Sequence, residues 1–65
     1  MRKWLMEIRV GKGFTQKDIA EKVGISQQHY QHIESGKIRS PNKINIEKKI
    51  AETLGFDWTR FFDEE

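Results

Sequence analysis

Apolar residues recur along this chain at the three- and four-residue spacing of amphipathic helices. No segment shows the strict alternation of a half-buried strand. The expected buried positions are Trp4, Leu5 and Ile8 in a first segment, Ile19, Ala20 and Val23 in a second, Tyr30 and Ile33 in a third, and Ile46, Ile50, Ala51 and Leu54 in a fourth. The pattern therefore predicts an all-α protein.

The second and third segments are bounded by residues that begin and end helices. The hydroxyl group of Thr15 can accept the N–H three residues later, and Ser26 can do the same for the next helix. Gly24 lies between them and can adopt the left-handed conformation that ends a helix. These signals predict one helix at about 15–23 and another at about 26–35. A connection this short, with glycine in it, is typical of a helix-turn-helix, although an ordinary helical hairpin is the alternative.

The rest of the chain predicts two further helices. A polar loop follows Gly36 and contains the only proline of the chain. A fourth helix then begins after Asn42 or Asn45, both of which can cap it, and ends at Gly55. Asp57 is placed to cap a short last helix. We therefore expect one compact domain, residues 1–65, built as a bundle of five short helices.

The outward face of the third helix carries uncharged polar side chains. Because Tyr30 and Ile33 must face the core, the helical period of about 100° per residue turns a polar set of residues outward. That set is Gln28, Gln31, His32 and Ser35, with Gln27 beside it. Amide side chains pair bidentately with adenine in the major groove, and histidine can donate to guanine. Glutamine is also common on helix surfaces without such a role, so it is the place of this set in a tight helix pair that favours DNA reading.

Composition narrows the classes of protein that fit. Sixty-five residues without cysteine exclude a disulfide framework and thiolate metal or redox chemistry. No apolar run approaches the roughly 20 residues needed to span a membrane, and the chain does not open on the apolar core of a signal peptide. A cytoplasmic protein with no cofactor and no membrane association is expected.

The net charge of +2 is unevenly distributed. Between residues 36 and 49 there are five cations and one anion, whereas residues 51–65 contain five anions and one cation. A basic stretch beside an acidic end suits a surface that faces phosphates, with the tail kept away from it. An ordinary solvated surface explains the charges alone equally well.

Metal binding and catalysis are disfavoured. His29 and His32 have a spacing that could suggest a metal, but no cysteine or third histidine completes a zinc site. Ser26, His29 and Asp18 are the residue types of a hydrolytic triad, but the capping role of Ser26 accounts for it. We expect a protein that is not an enzyme and holds no metal.

At the level of motifs, the segment from Phe14 to Lys37 resembles the phage repressor and Cro (XRE) family of helix-turn-helix regulators. The shared pattern is an apolar residue followed by Thr-Gln, then an aliphatic residue and Ala, Val-Gly-Ile-Ser, and later Ile-Glu-Ser-Gly. The run from Lys49 to Gly55 is similar to the fourth helix of the family. The resemblance covers nearly the whole chain and implies a lambda repressor-like DNA-binding domain.

The resemblance also implies roles for particular residues. Positions that reach base edges match Gln27, Gln28 and His32, with Gln31 next to them. Positions on or near the phosphates match Gln16, Lys17, Ser26, Lys37, Arg39, Ser40, Asn42 and Lys43. Arg9 and Glu34 match a pair that ties the first helix to the third by an ion pair in some relatives. Tyr30 stands where an aliphatic residue is more common, so its ring fills the core or its hydroxyl reaches a phosphate. The loop from Gly36 to Ile44 is about one residue longer than the usual pattern.

Two functions from different classes follow. The first is a sequence-specific regulator, a repressor of bacterial or phage origin, that binds a palindromic double-stranded DNA operator as a homodimer. Its predicted dimer surface is Trp58, Phe61 and Phe62, because three large aromatic residues exceed what a short helix needs to cover a core. The alternative is that these residues belong to the core. The second is a protein-interaction module, such as an antitoxin or an anti-repressor partner, that uses the same aromatic surface.

Overall fold

The computed structural model describes residues 1–37 and 44–62, with the side chain of Ile44 excepted. Within these residues the chain forms four α-helices and one 3-10 helix. They are α1 (Lys3–Gly11), α2 (Gln16–Val23), α3 (Gln27–Ser35), α4 (Ile44–Leu54) and the 3-10 helix (Trp58–Phe62). The all-helical prediction is confirmed for the described part of the chain.

Caps fix the boundaries of α2 and α3. The Asp18 amide donates to Thr15 Oγ1 at 3.0 Å and the Thr15 amide donates to Asp18 Oδ2 at 2.9 Å, which completes a capping box. Gly24 ends α2 at a φ of 85°, in the left-handed region that favours glycine. Ser26 Oγ then accepts the His29 amide at 3.0 Å. The predicted helices therefore form at the expected places, one residue inside their caps.

The later helices differ from the prediction in two respects. Because α4 already includes Asn45, this residue is not its cap, and Asn42 lies outside the described residues. The predicted fifth α-helix is instead a 3-10 helix of five residues. The Arg60 amide bonds the Asp57 carbonyl oxygen three residues earlier at 3.0 Å, and Asp57 Oδ1 accepts the Thr59 amide at 3.0 Å. Asp57 thus starts the segment as expected, but it starts the tighter helix type, which is common in short pieces.

The core lies between α2, α3 and α4 and is closed by α1 and the 3-10 helix. Its buried apolar side chains are Leu5, Ile19, Ala20, Val23, Tyr30, Ile33, Ile50, Ala51, Leu54 and Phe61. Trp4, Ile8 and Ile46, which were also expected to be buried, pack against this core while partly exposed. The predicted stripes are therefore its main components, with Phe61 added.

Phe61 is the one member of the predicted dimer surface that belongs to the core. Its side chain is 3% exposed and packs on the rings of Trp4 and Phe56 at centroid distances of 5.4 and 5.8 Å. The 3-10 helix turns Phe61 inward, while Trp58 is half-buried and Phe62 is 52% exposed. The alternative core role therefore applies to Phe61.

None of the helices in the described residues is both long enough and apolar enough to cross a membrane.

Candidate nucleic-acid interface

Helix α3 has a polar outer face and a buried inner face. Gln27, Gln28, Gln31 and Ser35 are exposed, and His29 and His32 are half-buried. On the inner side, Tyr30 and Ile33 are fully buried. The structure thus brings the four predicted base-reading residues, Gln27, Gln28, Gln31 and His32, onto the accessible part of one helix.

The start of α3 is held in a conformation that leaves hydrogen-bond donors free. Ser26 Oγ acts as the acceptor for the His29 amide, so the hydroxyl proton of this exposed residue is not used by the cap. Amide groups in the first turn of a helix also lack intrahelical partners and favour anions. A phosphate beside this turn would meet the Ser26 hydroxyl. The phosphate contact of Ser26 stays a prediction.

Gln16 connects the start of α2 to α3. Its side chain is half-buried, and Nε2 donates to Glu34 Oε1 at 3.2 Å. A primary amide has a second N–H and an acceptor oxygen. Gln16 therefore can position α3 and still donate to a phosphate.

Arg9 and Glu34 form the ion pair that the resemblance implies. Arg9 Nε donates to Glu34 Oε2 at 2.8 Å, Nη2 donates to Oε1 at 3.0 Å, and Nη1 donates to the Phe14 carbonyl oxygen at 2.8 Å. The Glu34 side chain is only 2% exposed. Burial by itself raises the pKa of Glu34, but the hydrogen bonds from Arg9 and Gln16 and the positive charge of Arg9 more than offset this and hold the pKa below its usual range. The pair is thus a charged, bidentate link between α1 and α3.

Tyr30 fills the core. It has no exposed surface, which decides between the two roles considered for it and excludes a phosphate contact by its hydroxyl. Burial raises the pKa of this hydroxyl, and the nearby Glu34 carboxylate raises it further. The hydroxyl makes no hydrogen bond with a described residue, although it lies in the electrostatic environment of the Arg9–Glu34 pair.

The cations predicted to face phosphates fall into two groups. Lys17 in α2 and Lys37, just after the end of α3, are both exposed. The remaining predicted contacts, Arg39, Ser40, Asn42 and Lys43, lie outside the described residues.

In the described part of the chain, no group of three or more His, Cys, Asp or Glu side chains could hold a metal ion.

Sequence reasoning missed two buried charged residues, Arg2 and Glu47. Arg2 is 4% exposed just before α1, and Glu47 is fully buried in α4. Glu47 lies three residues before Ile50 and four before Ala51, on the apolar side of its helix. A charge inside an apolar stripe was the signal that could have marked it.

Comparison with known proteins agrees with this geometry. The sequence model of the helix-turn-helix family matches residues 5–61. The chain is similar to a protein of Bacillus subtilis (strain 168) named "Uncharacterized HTH-type transcriptional regulator YqaF". The two are 50% identical over 64 residues, which cover 98% of this chain and 82% of the relative. No solved structure matches the chain.

Proposed function

We propose, from the premise that this chain belongs to the helix-turn-helix family, that it is a transcriptional repressor that binds double-stranded DNA by sequence. Helix α3 enters the major groove, and the protein blocks transcription by occupying a palindromic operator. It acts in the bacterial cytoplasm, as a nucleoid-associated or phage-encoded protein. The observation that carries the proposal is the exposed, uncharged face of α3, displayed by a tightly connected helix pair.

The chemistry of this face suits base edges. Each glutamine amide offers a donor and an acceptor, which is the arrangement that adenine N7 and N6 complement. Gln28 and His32 are one helical turn apart, so both can reach the same stretch of groove floor. We assign base reading to Gln27, Gln28, Gln31 and His32.

The flanking residues supply contacts that set position without reading sequence. Gln16, Lys17 and Ser26 lie at the starts of α2 and α3, and Lys37 follows the end of α3. Donors on both sides of a reading helix can bind the phosphates that border the groove. Arg39, Ser40, Asn42 and Lys43 extend this predicted set beyond the described residues.

Base reading and phosphate binding are separable by substitution. We expect Gln28→Ala to weaken binding to the preferred site by about 1–3 kcal/mol and to relax base preference at one position. Lys17→Ala should weaken binding to preferred and random DNA alike and reduce the slope of log affinity against log salt by about one. Fluorescence anisotropy titrations of both variants on both duplexes test this. If the two variants change binding in the same way, the assignment of Gln28 to base reading and Lys17 to phosphate binding is wrong.

A second copy of the chain is the proposed partner of the aromatic surface, defined here as Trp58 and Phe62. Their rings meet edge to face at 5.6 Å, and the Lys48 ammonium lies 5.2 Å from the centre of the Trp58 ring. A pocket of about 260 Å³ opens beside them and is lined by Lys48, Ala51, Glu52, Phe56, Asp57 and Trp58. Its rim carries charges of both signs, so two copies related by a two-fold axis can each meet the opposite charge. The exposed Phe62 ring is an apolar group that the partner's pocket could receive.

Charge placed on this surface should abolish cooperative binding. We expect Phe62→Glu to fold normally but to bind a two-half-site duplex without cooperativity, because the carboxylate would have to be buried against the partner. Val10→Glu is the matched control, since Val10 is 58% exposed in α1, outside the aromatic surface. Analytical ultracentrifugation on DNA measures the stoichiometry. Equal cooperativity in the two variants would contradict the dimer. If Phe62→Glu instead lost binding to a protein partner of the antitoxin or anti-repressor kind, the surface would be assigned to that partner.

A further inference from the structure

Arg2, which precedes α1, contacts the C-terminal end of α3. Its backbone N–H donates to the Glu34 carbonyl oxygen at 2.8 Å, and its guanidinium Nη1 donates to the Ile33 carbonyl oxygen. The chain before α1 also passes close to the end of α3, since a Cβ atom on Gly36 would lie 3.4 Å from the Met1 backbone nitrogen. One residue outside α3 thus holds two carbonyl groups in its last turn.

These two carbonyl groups depend on Arg2 in different degrees. The last four carbonyl groups of an α-helix have no partner within the helix. The His32 carbonyl oxygen accepts the Lys37 amide at 3.1 Å, and that of Ile33 accepts the Gly36 amide at 3.4 Å. The Glu34 carbonyl oxygen instead accepts the Arg2 amide, and the Ile33 carbonyl oxygen accepts a second bond from the Arg2 guanidinium. A positive charge here also interacts favourably with the helix dipole.

The other side of the Arg2 guanidinium faces two further elements. It lies 5.5 Å from the centre of the Phe61 ring in the 3-10 helix. In α4, the fully buried Glu47 has no hydrogen bond from the described residues to either carboxylate oxygen. Burial raises the pKa of Glu47, and the positive charge of Arg2 works against that rise. The Arg2 side chain, which lies just before α1, therefore interacts with α3, α4 and the 3-10 helix.

We propose that Arg2 is a positioning residue for DNA recognition, which fixes the end of α3 against the remaining helices so that the outer face of α3 meets the groove at one angle. The inference rests on the proposed function. Arg2 is buried on the inner side of α3, so it acts through the helix. Its loss should disturb base reading, which depends on the placement of side chains against base edges, more than the sequence-independent binding of phosphates.

The first test compares Arg2→Met with Lys3→Met. Both substitutions remove one positive charge, but Lys3 is exposed. Affinities are measured on the preferred duplex and on a random duplex, at a temperature where circular dichroism shows each variant folded. Arg2→Met keeps the backbone bond to Glu34 but removes the guanidinium bond to Ile33. It should lower the ratio of the two affinities about tenfold, as expected for one lost hydrogen bond from a charged group. Lys3→Met should leave the ratio unchanged. An unchanged ratio in folded Arg2→Met overturns the proposal.

Arg2→Lys decides the matter if Arg2→Met does not fold. Lysine keeps the charge and the stem, but it lacks the planar fork of donors. We expect the affinity ratio to fall about threefold, between the values for the wild type and for a full loss of the guanidinium bond. A ratio equal to that of the wild type overturns the positioning role.

Amide hydrogen exchange separates this proposal from the proposed function, because it needs no DNA. In a folded Arg2 variant, exchange at Gly36 and Lys37 should accelerate more than at Tyr30, whose amide bonds the Ser26 carbonyl oxygen in the first turn. Equal acceleration at all three would mean general destabilisation and would overturn the role of Arg2. A wild-type protein with no DNA preference, but with this local exchange pattern in the variant, would contradict only the repressor function.

Discussion

Replacing Arg9 with methionine is expected to lower the free energy of unfolding by about 3–5 kcal/mol. The substitution leaves the Glu34 carboxylate buried without the two hydrogen bonds that it accepts from Arg9, and only the bond from Gln16 remains. A domain of this length has a total stability on the order of 3–10 kcal/mol, so the substitution should remove a large part of it. Urea denaturation followed by circular dichroism measures the loss.

The pH dependence of Arg9→Met identifies the cause. In the wild type the pKa of Glu34 is lowered, so its contribution to stability is present above the unfolded-state pKa and is lost as the pH falls through the folded-state value. Without Arg9, burial should raise this pKa, and acidification should then favour the folded variant. The difference between the two curves isolates Glu34 from Asp18 and Asp57, whose pKa values are also lowered by their cap hydrogen bonds.

A double variant provides the control. Arg9→Met with Glu34→Leu removes both charges, and replacing a buried ion pair by apolar residues is often neutral or stabilising. We expect the double variant to recover most of the stability that Arg9→Met loses. If Arg9→Met has wild-type stability, or if the double variant is no better than the single one, the ion pair does not hold α1 to α3.

Replacing Ile33 with alanine is expected to cost about 2–5 kcal/mol of unfolding free energy. Ile33 is fully buried in the core on the inner side of α3, so truncation removes apolar contacts and leaves a cavity. Gln31→Ala is the matched control on the same helix, because its side chain is exposed and the change should stay within about 0.5 kcal/mol.

DNA titration of these two variants should show the opposite order. Where both are folded, Gln31→Ala should weaken binding to the preferred site, whereas Ile33→Ala should bind with little change. A stability loss below about 1 kcal/mol for Ile33→Ala would contradict its place in the core.

The sequence predicts the parts of this fold that depend on local signals. Thr15, Gly24 and Ser26 act within a few residues of their own positions, so their side-chain chemistry sets the boundaries of α2 and α3 directly. The reading face follows in the same way, because the buried positions Tyr30 and Ile33 determine which residues of α3 point outward. The cap chemistry of Asp57 is also local, but it does not distinguish an α-helix from a 3-10 helix.

Contacts between distant residues are harder to predict. The burial of Phe61 depends on how the 3-10 helix meets Trp4, which is far away in sequence. The contact of Arg2 with Ile33 joins residues 31 positions apart, and neither residue type suggests the other. The Arg9–Glu34 pair was expected because the resemblance implies it, since nothing in the local pattern joins those two residues.

The central claim is that α3 reads DNA sequence, and selection of binding sites from a randomised duplex pool tests it most directly. At roughly physiological salt, the wild type should enrich a palindrome whose half-sites lie about one helical turn apart. Gln28→Ala, selected in parallel, should enrich the same spacing with one position in each half-site relaxed. Enrichment of no sequence by the wild-type protein, with only salt-sensitive binding to any duplex, would contradict the claim.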